Sequence, residues 1–210
     1  SLVIATGGLS MPKLGATPFG YKVAQQFGLT VTNTHAGLVP FTWQNKDKED
    51  YEGLSGISLP ASVTCENGVN FSEDMLFTHR GLSGPVMLQV SSYWNTGEAI
   101  TIDLLPSNNL EDILTQARET NPKQALKTCL GQHLPKRFIE CLIALNKLTD
   151  KPLNQFNDKE LTALSDYFHQ WKIKPNGTEG YRTAEVTLGG VETDELSSKT
   201  MMAKNVEGLY

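Results

Sequence analysis

The spacing of apolar positions predicts a strand followed by a helix at the start of the chain. Residues 2–7 are apolar enough to form a short buried strand, which Gly7 and Gly8 interrupt. In the segment 21–27 apolar residues recur at helical spacing, and Gly28 can supply the left-handed residue that ends a helix. A strand, a glycine turn and a helix in this order are typical of one unit of an α/β sheet.

A series of short strands is predicted next. Residues 61–66 and 69–71 alternate between apolar and polar side chains and are separated by Asn67-Gly68. Asn-Gly between such segments is a strong hairpin signal, because both turn positions then take positive φ. Further strands are predicted at residues 38–43, 74–78, 86–92 and 98–105. Strands of this length and spacing favour a small antiparallel sheet or barrel.

Helical spacing dominates from about residue 108 to residue 172. One apolar stripe begins at Leu110 and another at Phe138. The clearest helix starts at Asn157, with Glu160 in a variant of the capping box, and its apolar face extends to Trp171. Short helices in succession predict a small bundle. Alternation typical of a strand returns at residues 184–188.

The order of these elements predicts one domain inserted within another. An α/β fragment is followed by a β unit, an α unit and a return to strand spacing. We therefore predict an α+β fold in which a small antiparallel β-barrel and a short helical bundle form an insert, flanked by pieces of an α/β domain. The chain begins at Ser1 and ends at Tyr210 within apolar segments. This favours a piece of a longer protein, with a complete small domain that has terminal edge strands as the alternative.

The overall charge is acidic and argues against nucleic acid as a partner. The 210 residues include 18 Lys and Arg against 23 Asp and Glu, a net charge of −5. This balance disfavours electrostatic capture of nucleic acid or of an anionic membrane, and Lys136-Arg137 are interpreted as ordinary solvated charges. No apolar segment approaches the roughly 20 residues that span a bilayer. Three cysteines are too few for a disulfide framework, so a cytoplasmic location is expected.

Two segments share a strand that ends in Gly-Gly. They are Leu2–Gly8 and Thr187–Gly190. Backbone amides at the carboxyl end of a strand, with no side chain in the way, allow a nucleotide to approach, and ordinary tight turns are the alternative. Neither segment is a G-x-G-x-x-G fingerprint or a P-loop. If the two turns lie side by side in one sheet, we expect their amides to surround one ligand.

The segment 77–85 concentrates polar groups on a permissive backbone. It holds the Thr78 hydroxyl, the His79 imidazole and the Arg80 guanidinium close to two glycines. Such loops often contact ligands, and a charged hairpin loop is the alternative. The second glycine directly follows Ser83, so the segment is not the nucleophile elbow of a serine hydrolase. The four histidines show no metal-ligand spacing, so we expect no metal.

Several of these motifs together resemble one family. The segments Leu2–Thr17, Phe77–Pro85, Thr187–Val191, Lys199–Met201 and Val206–Tyr210 are similar, in the same order, to the BaiN-like (HI0933-like) NAD(P)- and FAD-dependent oxidoreductases, also called aminoacetone oxidase-like. The resemblance implies a Rossmann-like FAD-binding domain that is interrupted by an insert. Residues 1–37 and 188–210 would be pieces of the FAD-binding domain, residues 38–107 and 173–187 the barrel part of the insert, and residues 108–172 its helical part. The segment that cradles the FAD pyrophosphate would precede Ser1.

The resemblance also implies cofactors and site residues. The expected cofactor-binding residues are Thr6, Gly7, Gly8, Pro12, Thr78, Gly81, Ser83, Gly84, Thr187, Gly189 and Gly190. The cofactor would be FAD, bound in the full-length protein, with NAD(P)H as the candidate electron donor. His79 is the side chain nominated for catalytic proton transfer, because an imidazole titrates near neutral pH.

The leading hypothesis is the central insert portion of a FAD-dependent oxidoreductase. Such an insert would cap the flavin and shape the substrate site, and it would be inactive alone. Its partners would be a small-molecule substrate and the rest of the FAD-binding domain, with no nucleic acid and no membrane. The alternative is a non-catalytic binding module whose barrel and helices dock a protein or a nucleic acid. A hydrolase that acts through Ser83 is a third hypothesis.

Overall fold

A five-stranded antiparallel sheet and seven helices account for most of the regular structure. The computed structural model describes residues 1–210. The strands are β1 (His35–Gly37), β2 (Phe41–Thr42), β3 (Ser58–Cys65), β4 (Asn70–Phe77), β5 (Leu82–Ser83), β6 (Ile100–Asp103), β7 (Trp171–Ile173), β8 (Gly177–Thr178) and β9 (Val186–Leu188). The α-helices are α1 (Phe19–Gln26), α2 (Asn45–Tyr51), α3 (Pro85–Ser91), α4 (Leu110–Thr120), α5 (Leu126–Leu130), α6 (Lys136–Ala144) and α7 (Asp158–His169). The predicted α+β class is confirmed. None of the helices combines the length and the apolarity needed to cross a membrane.

The chain divides into two compact units, each of which is described by itself. Unit 1 comprises residues 1–39 and 179–210, and unit 2 comprises residues 40–178. The finer division into a barrel part, a helical part and flanking pieces of a FAD-binding domain stays a prediction.

Unit 2 is built on a sheet of order β5-β4-β3-β6-β7, in which every neighbouring pair is antiparallel. Along β3, Leu59, Ala61 and Val63 are buried and alternate with more exposed residues, as the period of two in a strand requires. Val63 lies opposite Phe71 on β4 and Ile102 on β6. The sheet curls into a half-barrel, in agreement with the predicted small antiparallel barrel.

The predicted hairpin between β3 and β4 is confirmed, but its turn differs in detail. Gly68 has a φ of 86°, whereas Asn67 is not among the residues with positive φ. The Asn67 side chain instead accepts a hydrogen bond from the Val69 amide at 3.1 Å. This Asx turn replaces the predicted pair of left-handed residues, so only one residue in the turn needs to be glycine.

The predicted strand at residues 86–92 is wrong, because this segment belongs to α3. Pro85 stands in the first helical turn, where its fixed φ suits a helix and its missing N–H is not needed. Val86, Met87 and Val90 are fully buried, and their spacing covers one helical face. In so short an apolar segment, periodicity does not distinguish a strand from a helix. The helical conformation is determined by packing on β3 and β4.

The helix predicted from Asn157 is confirmed, but it ends before Trp171. The Asn157 side chain accepts a hydrogen bond from the Glu160 amide at 3.0 Å, and the Glu160 carboxylate accepts one from the Asn157 amide at 2.8 Å. This is the predicted capping box. At Gln170 the backbone leaves the helical region with φ −132°. Trp171 therefore lies on β7, opposite Ile102, and enters the core from the sheet.

Aromatic side chains hold the helices of unit 2 against its sheet. The ring of Phe138 on α6 lies 5.6 Å from that of Phe77 on β4 and 6.1 Å from that of Trp171 on β7. Tyr51, at the end of α2, packs edge-on against Trp171 at 5.5 Å. All four side chains are buried. Rings at these separations form favourable pairs beyond simple area burial, so α2 and α6 have defined positions on the sheet.

Unit 1 pairs β1 with β9 and has a small core of its own. The predicted buried strand at residues 2–7 is wrong. Leu2 forms a single bridge with Leu209, and Val3 is 67% exposed. The backbone of this segment is hydrogen-bonded on one side, to residues 208–210. An apolar strand is buried when other layers cover both of its faces, and unit 1 does not cover this one.

Candidate functional site

In unit 1 the Thr187 hydroxyl brings the two glycine turns together. Thr187 lies on β9, opposite Ala36 of β1. Its Oγ1 accepts hydrogen bonds from the Leu9 amide at 2.8 Å and the Ser10 amide at 3.1 Å. The Ser10 hydroxyl lies 3.0 Å from the same oxygen. The loop that follows Gly8 is therefore held directly by the strand that leads into the second glycine turn.

The glycines of the two turns have different surroundings. A Cβ on Gly8 would lie 2.5 Å from Thr187 Oγ1, so this position has no room for a side chain. A Cβ on Gly189 would collide with the carbonyl oxygen of Asn33. Gly7 has a φ of 70° and nothing within 4 Å of its Cβ position. Close packing thus explains Gly8 and Gly189, whereas Gly7 faces open space.

The Gly190 amide is already hydrogen-bonded within unit 1. It donates to Thr32 Oγ1 at 3.0 Å, and the Thr32 amide donates to the Gly190 carbonyl oxygen at 2.8 Å. This amide therefore has a protein partner and does not need a ligand. Within the two turns, Thr6 and Gly7 border open space, and the contact of the segment 6–8 with a cofactor stays a prediction.

A small cavity opens beside Thr6 and Gly7. It has a volume of about 170 Å³, and apolar residues of unit 1 form most of its wall, together with Thr6 and Tyr21. Burial, with a contribution from the neighbouring Tyr181, raises the pKa of Tyr21, so its phenol stays protonated at neutral pH. Typical ligand sites measure roughly 300–1,000 Å³. The cavity can therefore receive only part of a dinucleotide.

In unit 2 the loop after β4 is closed by contacts within the protein. Thr78 Oγ1 accepts a hydrogen bond from the Gly81 amide at 3.1 Å. A Cβ on Gly81 would collide with the carbonyl oxygen of Phe41, and one on Gly84 would lie 2.6 Å from the carbonyl oxygen of Asp74. A tight hairpin loop, the alternative to a ligand-binding loop, therefore accounts for Thr78, Gly81 and Gly84 in this segment. Contact of the loop with a cofactor stays a prediction.

His79 and Ser83 occupy different environments in this loop. His79 is exposed, whereas Ser83 is half-buried on β5 and pairs with Leu76. No hydrogen bond joins Ser83 to a histidine, the base that activates the serine in most serine hydrolases. The proton-transfer role of His79 stays a prediction. In unit 1, Pro12 begins an exposed 3-10 turn after Met11, which has a φ of 59°.

Unit 2 carries a basic segment that the overall composition conceals. Residues 121–151 contain six Lys and Arg against two Asp and Glu, leaving 12 of the 18 basic and 21 of the 23 acidic residues elsewhere. The basic segment includes α5, α6 and the turn between them. Lys123, Lys127 and Lys136 are exposed on it. A charge count over this window, rather than over the whole chain, is the sequence signal that reveals it.

The fold and these surfaces define an α+β protein with a half-barrel sheet and a helical segment. The family described as HI0933-like protein barrel and H2TH domain matches residues 35–186. This range covers more than half of the chain, so the chain belongs to the HI0933-like family. The predicted family is confirmed at this level.

Two relatives are named ribosomal RNA dihydrouridine synthase. The chain is 56% identical over 209 residues to the one from Escherichia coli and 51% identical over 210 residues to the one from Haemophilus influenzae. It is 25% identical over 223 residues to a 3-dehydro-bile acid delta(4,6)-reductase from Clostridium scindens. The whole chain is matched in each case, and it spans 52%, 52% and 54% of these relatives. The chain thus corresponds to about half the length of the curated relatives that it matches.

These relatives correct the leading functional hypothesis. The predicted insert portion of a flavin-dependent oxidoreductase with a small-molecule substrate is contradicted by two relatives whose names specify ribosomal RNA. The exclusion of nucleic acid as a partner is wrong for the same reason, and the nucleic-acid-binding alternative is the better supported one. The net charge of −5 averages a basic segment with acidic surroundings, so it does not exclude nucleic acid as a partner. Binding depends on the local potential of the contacting face.

Proposed function

We propose that this chain is part of an enzyme that converts uridine in ribosomal RNA to dihydrouridine. The observation that carries the proposal is the 56% and 51% identity to two ribosomal RNA dihydrouridine synthases. This identity extends over the whole chain and includes both units, whereas a match confined to the barrel would support only a shared fold. The narrower BaiN-like assignment stays a prediction, because the bile-acid reductase is 25% identical.

RNA is the partner that we propose for unit 2. The basic segment at residues 121–151 supports this, since lysine and arginine contacts with phosphates supply most of the sequence-independent affinity for nucleic acids. The proposal implies a cytoplasmic protein, because that is where bacterial ribosomal RNA is made.

The reaction requires a reductant. Dihydrouridine forms when a hydride and a proton add across the C5–C6 double bond of uracil. A reduced flavin supplies hydride in reactions of this type, and we propose FAD as the cofactor of the full-length protein. NAD(P)H as the donor of the electrons stays a prediction.

The residues of this chain that fit part of such a cofactor are in unit 1. Thr6 and the open Gly7 border a cavity of about 170 Å³, and the protonated Tyr21 hydroxyl can donate a hydrogen bond there. A cavity of this size holds only a portion of FAD, so the rest of the cofactor must bind elsewhere in the full-length protein.

Deletion of the gene tests the proposed reaction. Nucleosides from the ribosomal RNA of the deletion strain are separated and identified by mass spectrometry, and we expect dihydrouridine to be lost and then restored by the full-length gene. Unchanged dihydrouridine content in the deletion strain would contradict the proposal. Denaturation of the purified full-length protein should release FAD, and a protein that releases no flavin would overturn only the cofactor part.

A further inference from the structure

The basic segment of unit 2 borders a continuous surface groove. A cavity of about 440 Å³ lies against α5 and α6 and is lined in part by Lys127, Gln132 and Lys136. A second, of about 520 Å³, is lined by Asn121–Gln124, a range that includes Lys123. A third, of about 290 Å³, shares lining residues with both of the others. We call the three together the α5–α6 groove.

Three of the six basic side chains in the segment are held by partners that lie elsewhere in unit 2, outside the segment. They are Arg137, which donates to the carbonyl oxygens of Gly53 and Ser55, Lys147, which lies 3.0 Å from the Asp50 carboxylate, and Lys151, which lies 2.7 Å from that of Glu160. These contacts attach the helical segment to its neighbours. The groove is therefore a preformed surface, which lowers the entropy lost when a ligand binds.

The other three basic side chains line the groove and face solvent. Lys123 and Lys136 form no ion pair, and the Lys127 side chain is 57% exposed although its ammonium lies 3.3 Å from Asp150. The Asp150 carboxylate also accepts a hydrogen bond from the Lys127 amide at 3.0 Å. Glu140 is the one acidic residue among those that line the groove. With Asp150 counted beside Glu140, three lysines face two carboxylates, so the groove keeps a net positive charge.

The start of α6 strengthens this potential. No side chain caps the helix at Pro135, and no acidic residue stands in its first turn. The amino-terminal end of a helix, where the backbone amides have no partner within the helix, carries a partial positive charge of about half an elementary charge. The side-chain amides of Gln132 and Asn121 add hydrogen-bonding groups to the lining. Cations interleaved with amides suit the phosphates and 2′-hydroxyls of RNA.

We propose that the α5–α6 groove binds the sugar–phosphate backbone of RNA through Lys123, Lys127 and Lys136. This inference rests on the proposed function, which names the substrate but not the surface that holds it. Ammonium groups on flexible stems attract phosphates without reading base edges. The groove therefore contributes affinity and position on the RNA rather than the choice of base.

The test compares two triple variants of the full-length protein that have the same net charge. One carries Lys123→Gln, Lys127→Gln and Lys136→Gln, and the control carries Lys46→Gln, Lys48→Gln and Lys159→Gln at exposed positions outside the basic segment. Binding to an unmodified ribosomal RNA transcript is measured over a range of salt concentrations. The groove variant should bind about ten- to hundredfold more weakly, and its slope of log K against log salt should be shallower by about 2 to 3, whereas the control should match the wild type.

Failure of this inference differs from failure of the proposed function. A groove variant that binds RNA as the wild type does, with the same salt slope, would overturn the inference and leave the reaction untouched. The same holds if the variant binds naked RNA normally but no longer associates with protein-containing ribosomal particles, because the groove would then contact protein. Unchanged dihydrouridine in the deletion strain would instead remove the proposed function, whatever the groove binds.

Discussion

At the scale of single residues, Thr187 accounts for much of the geometry in unit 1. Its hydroxyl satisfies the amides of Leu9 and Ser10, and its side chain fills the space beside Gly8. Buried or half-buried amides need such partners, since an unsatisfied one costs about 1–3 kcal/mol. The hydroxyl thereby fixes the loop that presents Gly7 to open space.

The variant Gly8→Ala should destabilise this loop. The added Cβ would lie 2.5 Å from Thr187 Oγ1, and overpacking of this kind costs about 1–3 kcal/mol. Hydrogen exchange in the full-length protein should show faster exchange of the Leu9 and Ser10 amides. Gly53→Ala is the matched control, because nothing lies within 4 Å of its Cβ position. Equal protection of the two amides in both variants would show that the Gly8 site tolerates a side chain.

At the scale of elements, a polar cluster joins the end of α6 to α2 and α7. The Lys147 ammonium donates to the Tyr51 hydroxyl at 2.6 Å and to the Asp50 carboxylate at 3.0 Å. Burial lowers the pKa of Lys147, but the hydrogen bonds to Tyr51 and Asp50 outweigh it and raise the pKa overall. On α7, burial and then the neighbouring Tyr51 raise the pKa of Tyr167 to about 12.

The cluster predicts a loss of stability in alkaline solution. A tyrosine in the unfolded chain has its ordinary pKa of 10.0, whereas folded Tyr167 stays protonated until about pH 12. The folded state therefore binds more protons in this window, and the free energy of unfolding falls as the pH rises through it. Lys147 acts in the same direction, because its folded pKa is also raised.

Urea unfolding at a series of pH values measures this effect. Tyr167→Phe should make the fall in stability between about pH 10 and pH 12 less steep, with the parts due to Lys147 and Tyr21 remaining. Tyr93→Phe, at a residue that is 49% exposed, should keep the wild-type pH dependence. Identical profiles for the two variants would mean that Tyr167 ionises in the folded protein as it does in the unfolded chain.

At the scale of the whole molecule, the two units differ greatly in core size. The large apolar cluster is contained in unit 2, whereas the core of unit 1 has four buried residues. The two ends of unit 2 meet in one ladder, since Phe41 of β2 pairs with Thr178 of β8. A segment with its own core and with adjacent ends can fold without the chain that flanks it.

The fragment 40–178 should therefore fold alone. We expect a single cooperative transition in urea, with amides of β3, β4 and β6 protected from exchange. The control fragment 58–178 lacks β2 and α2 and so removes Phe41, Trp43, Tyr51 and Leu54 from the core. It should fail to unfold cooperatively. Fragment 40–178 without protected amides would show that unit 2 depends on residues of unit 1.

Local signals in the sequence predicted elements whose cause is local. The Asn157–Glu160 capping box and the Asn67-Gly68 hairpin are both present, because short-range hydrogen bonds and backbone preferences determine them. The left-handed Gly28 after α1 is another such case, with a φ of 78°. The strand predicted at 86–92 and the helical Trp171 were wrong, because packing on the sheet determined both.

The α+β class, the family and the two glycine turns could all be predicted from the order of residues along the chain. Their signals are residue types at short spacing, which do not depend on distant contacts. The folded structure was needed to show that Thr187 reaches the loop after Gly8 and that Gly7 faces open space. It was also needed to separate Lys123, Lys127 and Lys136, which line the groove, from the basic residues that are tied to parts of unit 2 outside the segment. The physical reason is that close packing and the electrostatic potential of a face depend on which distant residues become neighbours, and net charge contains no such information.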